Sequence, residues 1–222
     1  SPIDRSAALY HIAGFNFGFF SKLFSNERYD KTRDPKHAAY LHNEGRSLTA
    51  KGQYKEALDH FKQSLEIRRR VYRGNHKEIE ESLFNMGEIL QELGSYQEAL
   101  VSYKNALEMN KKLSDKDNEL RAIYMIEIGY LYSVLKQYED AFSFSQKSLE
   151  IAKKVSRGDN YLITMVIDGV GWSLYLLGRY NEAINLLKEG LEMNKRLSKE
   201  DNIERADYLS MIGMSFFSIE RH

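Results

Sequence analysis

Tyr54, Tyr96, Tyr138 and Tyr180 stand 42 residues apart, each inside a copy of one short phrase. The copies are Gly52-Gln-Tyr-Lys-Glu-Ala-Leu58, Gly94-Ser-Tyr-Gln-Glu-Ala-Leu100, Lys136-Gln-Tyr-Glu-Asp-Ala-Phe142 and Gly178-Arg-Tyr-Asn-Glu-Ala-Ile184. A fixed period of this length marks a repeat array, in which each unit covers its neighbour's apolar face and no single central core forms. The two prolines, Pro2 and Pro35, both precede the first phrase, so no ring interrupts a helix from residue 36 onward.

Each unit reads as a pair of helices. In the second, Leu83, Met86, Gly87, Leu90 and Leu93 form an apolar stripe at helical spacing, and Ala99, Leu100, Tyr103, Ala106 and Leu107 form another after the turn at Gly94-Ser95. Gly45, Gly87, Gly129, Gly171 and Gly213 keep the period. A mid-helix glycine costs about 1 kcal/mol against alanine, so its recurrence predicts a close approach of two helices at that level. The phrase tyrosine is expected to pack back on the preceding helix. Second helices end in Arg68-Arg69-Arg70, Lys111-Lys112, Lys153-Lys154 and Lys195-Arg196, which complement the helix dipole and, if unpaired, would form a basic ridge. The loops that follow them are rich in turn and cap formers.

These features resemble the tetratricopeptide repeat family, in particular its 42-residue variety found in kinesin light chains. Leu83, Gly87, Gly94-Ser-Tyr96 and Ala99 follow the family's order, and the likeness covers residues 38 to 222. It implies an all-α fold, a right-handed superhelical solenoid of antiparallel helix hairpins, with residues 1–36 as an apolar helix and polar linker and residues 37–222 as four full repeats and a partial fifth. Departures are Lys136 in place of the turn glycine and Gly190 where alanine is usual, both expected to loosen their units.

The resemblance also implies that first helices line a concave groove for a partner peptide. Transferred residue by residue, the groove set is His42, Asn43, Arg46, Phe84, Asn85, Glu88, Ile126, Glu127, Tyr130, Asp168, Trp172 and Tyr175, polar in the first two units and largely aromatic beyond. Asn43 and Asn85 occupy matching places, where an amide can both donate to and accept from a peptide backbone. Trp172 lies opposite its helix's core stripe, with Tyr130 and Met214 at the equivalent positions, and such a ladder needs covering. Arg46, Asn43 and Asn85 alone do not supply the converging cations of a carboxylate clamp.

Chemistry is harder to find. Gly45-Arg-Ser-Leu-Thr-Ala-Lys51-Gly52 has a phosphate loop's composition but the wrong order and no leading strand. The six histidines form no ligand pair at metal spacing, no serine sits in a nucleophile elbow, and there is no cysteine. No metal, cofactor or catalytic site is expected. Thirty-two basic residues balance 32 acidic ones, leaving no net field for nucleic acid. Absence of cysteine suits a cytoplasmic setting. Residues 6–24, apolar on every side but broken by His11, Asn16 and Lys22, predict no membrane span. They are a candidate cap, intramolecular ligand or dimer contact. The leading expectation is a non-catalytic module binding a protein or peptide. The alternative is the sensing arm of a larger enzyme, a signalling NTPase or caspase-like protease, since the chain starts without methionine and stops within a fifth unit.

Overall fold

In the computed structural model, residues 30–198 and 203–221 are described. After a 3-10 turn at Lys31–Arg33 come nine helices: α1 Pro35–Ala50, α2 Tyr54–Val71, α3 Lys77–Glu92, α4 Tyr96–Leu113, α5 Glu119–Val134, α6 Tyr138–Val155, α7 Tyr161–Leu176, α8 Tyr180–Leu197 and α9 Ile203–Glu220. There is no strand among the described residues. Each first helix packs on its second, and each hairpin on the next, so the chain is an all-α solenoid. The helix expected near the N-terminus lies outside the described residues. Pro35, read as linker, is instead the first residue of α1, where its missing N–H leaves no bond unmade, and Asp34 caps the helix by accepting from Lys36 N and His37 N.

The period recurs in the turns as one hydrogen-bond scheme. Gln53 N donates to Leu48 O at 2.9 Å and Gly52 N to Thr49 O at 2.9 Å, with the same pair of bonds at Ser95/Gly94, Gln137/Lys136 and Arg179/Gly178. This Schellman arrangement requires a left-handed residue after the helix. Gly52, Gly94 and Gly178 supply it, and Lys136 takes it at φ 60°. Lys136 therefore holds the same turn as the glycines of the other units, with the strain of a Cβ rather than a changed geometry. The next helix starts on a cap: His76 accepts from Glu78 N, Asn118 from Arg121 N and Asn160 from Leu162 N. Tyr180, opening α8, packs on Tyr175 of α7 with ring centroids 5.5 Å apart, as the phrase tyrosine was expected to do.

Four of the five column glycines are seats for one residue of the facing helix; at Gly213 in α9 an added Cβ would meet nothing within 4 Å among the described residues, so the expected close approach is not made there. A Cβ on Gly45, Gly87 or Gly171 would fall 2.9 Å from Phe61, 2.6 Å from Tyr103 or 2.5 Å from Leu187. At Gly129 the seat is taken by the small Ser145, and the backbone oxygen of Ala141 comes within 3.1 Å of the same point. Gly190, expected to loosen its unit, is likewise filled: its missing Cβ would meet Ile167 and the Tyr208 ring at 2.7 Å. Other junctions repeat only every second unit. Ser64 and Ser148 bond to Ala38 O and Ala122 O, whereas Tyr124 reaches Glu80 and Tyr208 reaches Thr164 O. Asn110 and Asn194 each accept from the Nε of an arginine in the next first helix, Arg121 and Arg205, at 3.1 Å.

First helices also pack on one another, α5 on α7 and α7 on α9, which bends that part of the array toward them. Gly169 makes the first of these contacts close, since its missing Cβ would lie 2.4 Å from Ile126 Cδ1. The inner face is therefore the face of the first helices.

Candidate functional site

Between α1 and α3 the inner face holds a pocket of about 450 Å³, lined by Arg46, Thr49, Phe61, Phe84, Asn85 and Glu88 among others. That size lies in the range of small-ligand and side-chain sites. Asn43 and Arg46 are exposed beside it. His42 is not: it is 3% exposed, edge-on to the Phe61 ring, and bonded inside the fold. Its Nδ1 lies 3.3 Å from Nη1 of the buried Arg68, its Nε2 3.1 Å from the Asn85 amide and 3.4 Å from Glu81 Oε1. A guanidinium can only donate, so Nδ1 accepts and the proton sits on Nε2, which donates toward Glu81; the neighbouring Asn85 amide can join it only through its oxygen, since an NH2 group cannot accept. Arg68 Nη1 also donates to Glu78 O at 2.6 Å and to Ser82 Oγ at 2.7 Å. The Asn85 amide expected to hold a peptide thus lies turned against His42, 3.1 Å from its Nε2.

From α5 onward the face is largely aromatic, with carboxylates set among the rings. Ile126 is buried at 7%, seated on Gly169, so it supports the face without being part of its surface. Tyr130 is 46% exposed and Phe217 56%. The partly buried Trp172 stacks on Tyr175, ring centroids 5.6 Å apart and planes 17° from parallel. Ser218 of α9 reaches Tyr175 Oη at 3.5 Å, tying the stack to the next unit. Between α7 and α9 lies a smaller cavity of about 110 Å³, lined by Thr164, Met165, Asp168, Glu204, Asp207 and Tyr208.

Carboxylates on this face are held away from their ordinary protonation behaviour. Glu88 keeps accessible surface, yet it sits in a concavity where protein displaces bulk water; this desolvation, with the nearby Glu127 carboxylate, pushes its pKa up to about 7, while Arg46 acts in the opposite sense. Burial raises Glu127 too, against a hydrogen bond from Gln91. Asp168 is pushed up to about 6, first by desolvation and then by Asp207 and Glu204. Its Oδ1 is buried without a hydrogen-bond partner.

Arg68, Glu81, Gly169 and Asp207 were absent from the sequence-derived set. Arg68 had a usable signal, because it follows Phe61 and Leu65 at helical spacing and so falls on the core face of α2. Much of the rest of the basic runs does pair: Arg70 with Glu66, and further on Lys153 with Glu189, Lys154 with Asp117 and Arg196 with Asp159. A free basic ridge is not formed by these residues. Among the described residues no group of three or more His, Cys, Asp or Glu is placed to hold a metal ion, and no helix is long and apolar enough to cross a membrane.

Known proteins agree with this geometry at the level of fold. The family model for the tetratricopeptide repeat matches residues 36–112, 78–154 and 119–196. No curated protein sequence matches the chain. Among solved structures, a kinesin light chain of Podosopora anserina with nearly identical TPR-like repeats superposes with a TM-score of 0.71 at 17% identity, over 85% of this chain and 90% of that one. BtubC (BKLC) from P. vanneervenii gives 0.73 at 12% identity, over 90% and 79%. A Rap protein complexed with Competence and Sporulation Factor gives 0.60 at 21% identity, over 72% of this chain and 43% of the Rap chain.

Proposed function

The chain belongs to the tetratricopeptide repeat family, and from that premise we propose that it is a non-catalytic protein-interaction module whose inner, first-helix face receives a segment of a partner protein. The observation that carries this reading is the ladder of Tyr130, Trp172, Tyr175, Met214 and Phe217 along one face of α5, α7 and α9, partly or largely exposed. A contiguous aromatic and methionine surface of that kind is enriched at binding sites and costly to leave in water. The solved Rap complex, with a factor bound to a protein of similar fold, supports it by analogy. Asn43, Arg46, Phe84 and Glu88 would form the polar end of the site, with Asn85 turned to His42, and Glu127, Tyr130, Asp168, Trp172 and Tyr175 the apolar and acidic end. His42 and Ile126 would shape the face from beneath.

Trp172→Ala tests the assignment. In a pull-down from native lysate with both forms side by side, the variant is expected to lose the partner that the parent captures, by more than about 1 kcal/mol in affinity, with helicity by circular dichroism unchanged. Equal capture by a folded variant removes the groove from the account.

A further inference from the structure

Resting on the groove reading above, we propose that the segment it receives is cationic and amphipathic: a stretch of a partner protein that offers a lysine or arginine to the Asp168 cavity and apolar side chains to the Trp172–Tyr175 stack. The chain has no net charge, but its charges are not evenly partnered. On the outer helices, loops and turns, Lys153, Lys154, Arg179 and Arg196 pair with Glu189, Asp117, Glu182 and Asp159. On the inner face, Glu88, Glu127 and Asp168 are crowded by other carboxylates or by protein that keeps water off, with Arg46 alone acting on Glu88 from the opposite sign. Arg221 also reaches this face, its guanidinium 4.3 Å from the Phe217 ring centroid, so the unbalanced negative charge is concentrated around Asp168.

The cavity between α7 and α9 sharpens this from a field into a contact. Asp168 and Asp207 face it from two helices, Glu204 joins them, and Asp168 Oδ1 is buried with no partner. A buried carboxylate oxygen without a donor is destabilising, and a guanidinium or ammonium is the donor that also cancels the surrounding charge. At about 110 Å³ the space takes the end of one side chain and no larger ligand. Met165 lies at its mouth, and Trp172 and Tyr175 follow Asp168 by four and seven residues, on the same face of α7. A basic residue in the cavity therefore leaves its neighbours against an aromatic stack. An acidic segment, or a nucleic acid, would add like charge to every one of these carboxylates.

The test uses peptides of one length that alternate leucine with arginine, glutamine or glutamate, titrated against the full chain while the fluorescence of Trp172, the only tryptophan, is followed. The arginine peptide is expected to bind about tenfold or more tightly than the glutamine peptide, to weaken with added salt, and to lose about tenfold on Asp168→Asn but not on Glu150→Gln of the outer helix α6. Glu127→Gln is the second groove variant, should Asp168→Asn disturb folding. If the glutamine or glutamate peptide binds as well and still shifts Trp172, the cationic assignment falls while the groove reading stands. If no peptide perturbs Trp172, the cationic assignment also falls, and partner capture sensitive to Trp172→Ala then decides the groove reading separately.

Discussion

Between α1 and α3 the inner face closes its polar groups into a circuit: Arg68 donates to His42, Ser82 and the Glu78 carbonyl, and His42 turns its other nitrogen to Asn85 and Glu81. Between α5 and α9, positions in the same register hold Tyr130, Trp172 and Asp168, with an aromatic stack and a carboxylate oxygen that nothing satisfies. One repeat backbone thus carries a half whose polar groups mostly find partners inside the fold, with Arg68 Nε and Gln91 Oε1 left over, and a half in which a carboxylate oxygen lining a cavity is left open. The difference teaches that polar character alone does not locate a site in such an array. Groups that find partners inside the fold become architecture, and those left without partners are the ones a ligand can reward.

Breaking the circuit is expected to have the largest effect. Arg68 is 3% exposed and serves three acceptors at once. Arg68→Ala strips donors from a buried imidazole, a hydroxyl and a carbonyl, and should cost about 3–5 kcal/mol in urea unfolding, as losses of one partner from a buried charged network do. A cost below about 1 kcal/mol would mean that the circuit is ornamental and that His42 and Asn85 are free to serve a ligand after all.

The second half is distinguished by Gly169, which stands where the earlier units have Asn43, Asn85 and Glu127. Its lack of a side chain lets Ile126 seat against α7. Gly169→Asn restores the residue of the first two units and is expected to cost about 1–3 kcal/mol through overpacking. It should also move Trp172 emission, because α5 and α7 must separate. No change in either would show that the tighter packing of the second half does not depend on this glycine.

Much of the fold was legible in the sequence because turns and seats are local or strictly periodic. The phrase glycines required a positive φ, the mid-helix glycines required a facing residue, and both requirements repeat every 42 residues where a reader can count them. The doubled period of the junctions was harder to see, since Tyr124 and Tyr208, or Asn110 and Asn194, match only when alternate units are compared. The site was legible as a face but not as a set of available groups. Position on a helix placed His42 and Ile126 toward the groove, and only the neighbouring helices decide that one is sealed by Arg68 and the other by Gly169. The basic run at the end of α2 reads as a complement to the helix dipole, although Arg68 follows the core spacing of Phe61 and Leu65; periodicity is the better guide there than charge.

The smallest effect separates the halves within a single helix. Glu81 and Glu88 lie seven residues apart on α3 and are shifted in opposite directions: a hydrogen bond from His42 holds Glu81 low, while desolvation and Glu127 push Glu88 up to about 7. For Glu88 the folded state binds more protons than the unfolded state between the ordinary value of 4.5 and about 7, so this carboxyl lowers stability as pH rises through that window. Glu88→Gln should therefore match the parent at pH 4 and exceed it at pH 8, by about 1 kcal/mol or less because solvent reaches the group. For Glu81 the sign reverses: its stabilisation is present above its ordinary pKa of 4.5 and fades as pH falls through its lowered value, so Glu81→Gln should be less stable than the parent at pH 8 and converge with it in acid. Thermal melts of both variants across that range test the contrast directly. Parallel pH curves would mean that the two carboxylates share one environment, and the division of the groove into a satisfied and an unsatisfied half would not survive on α3.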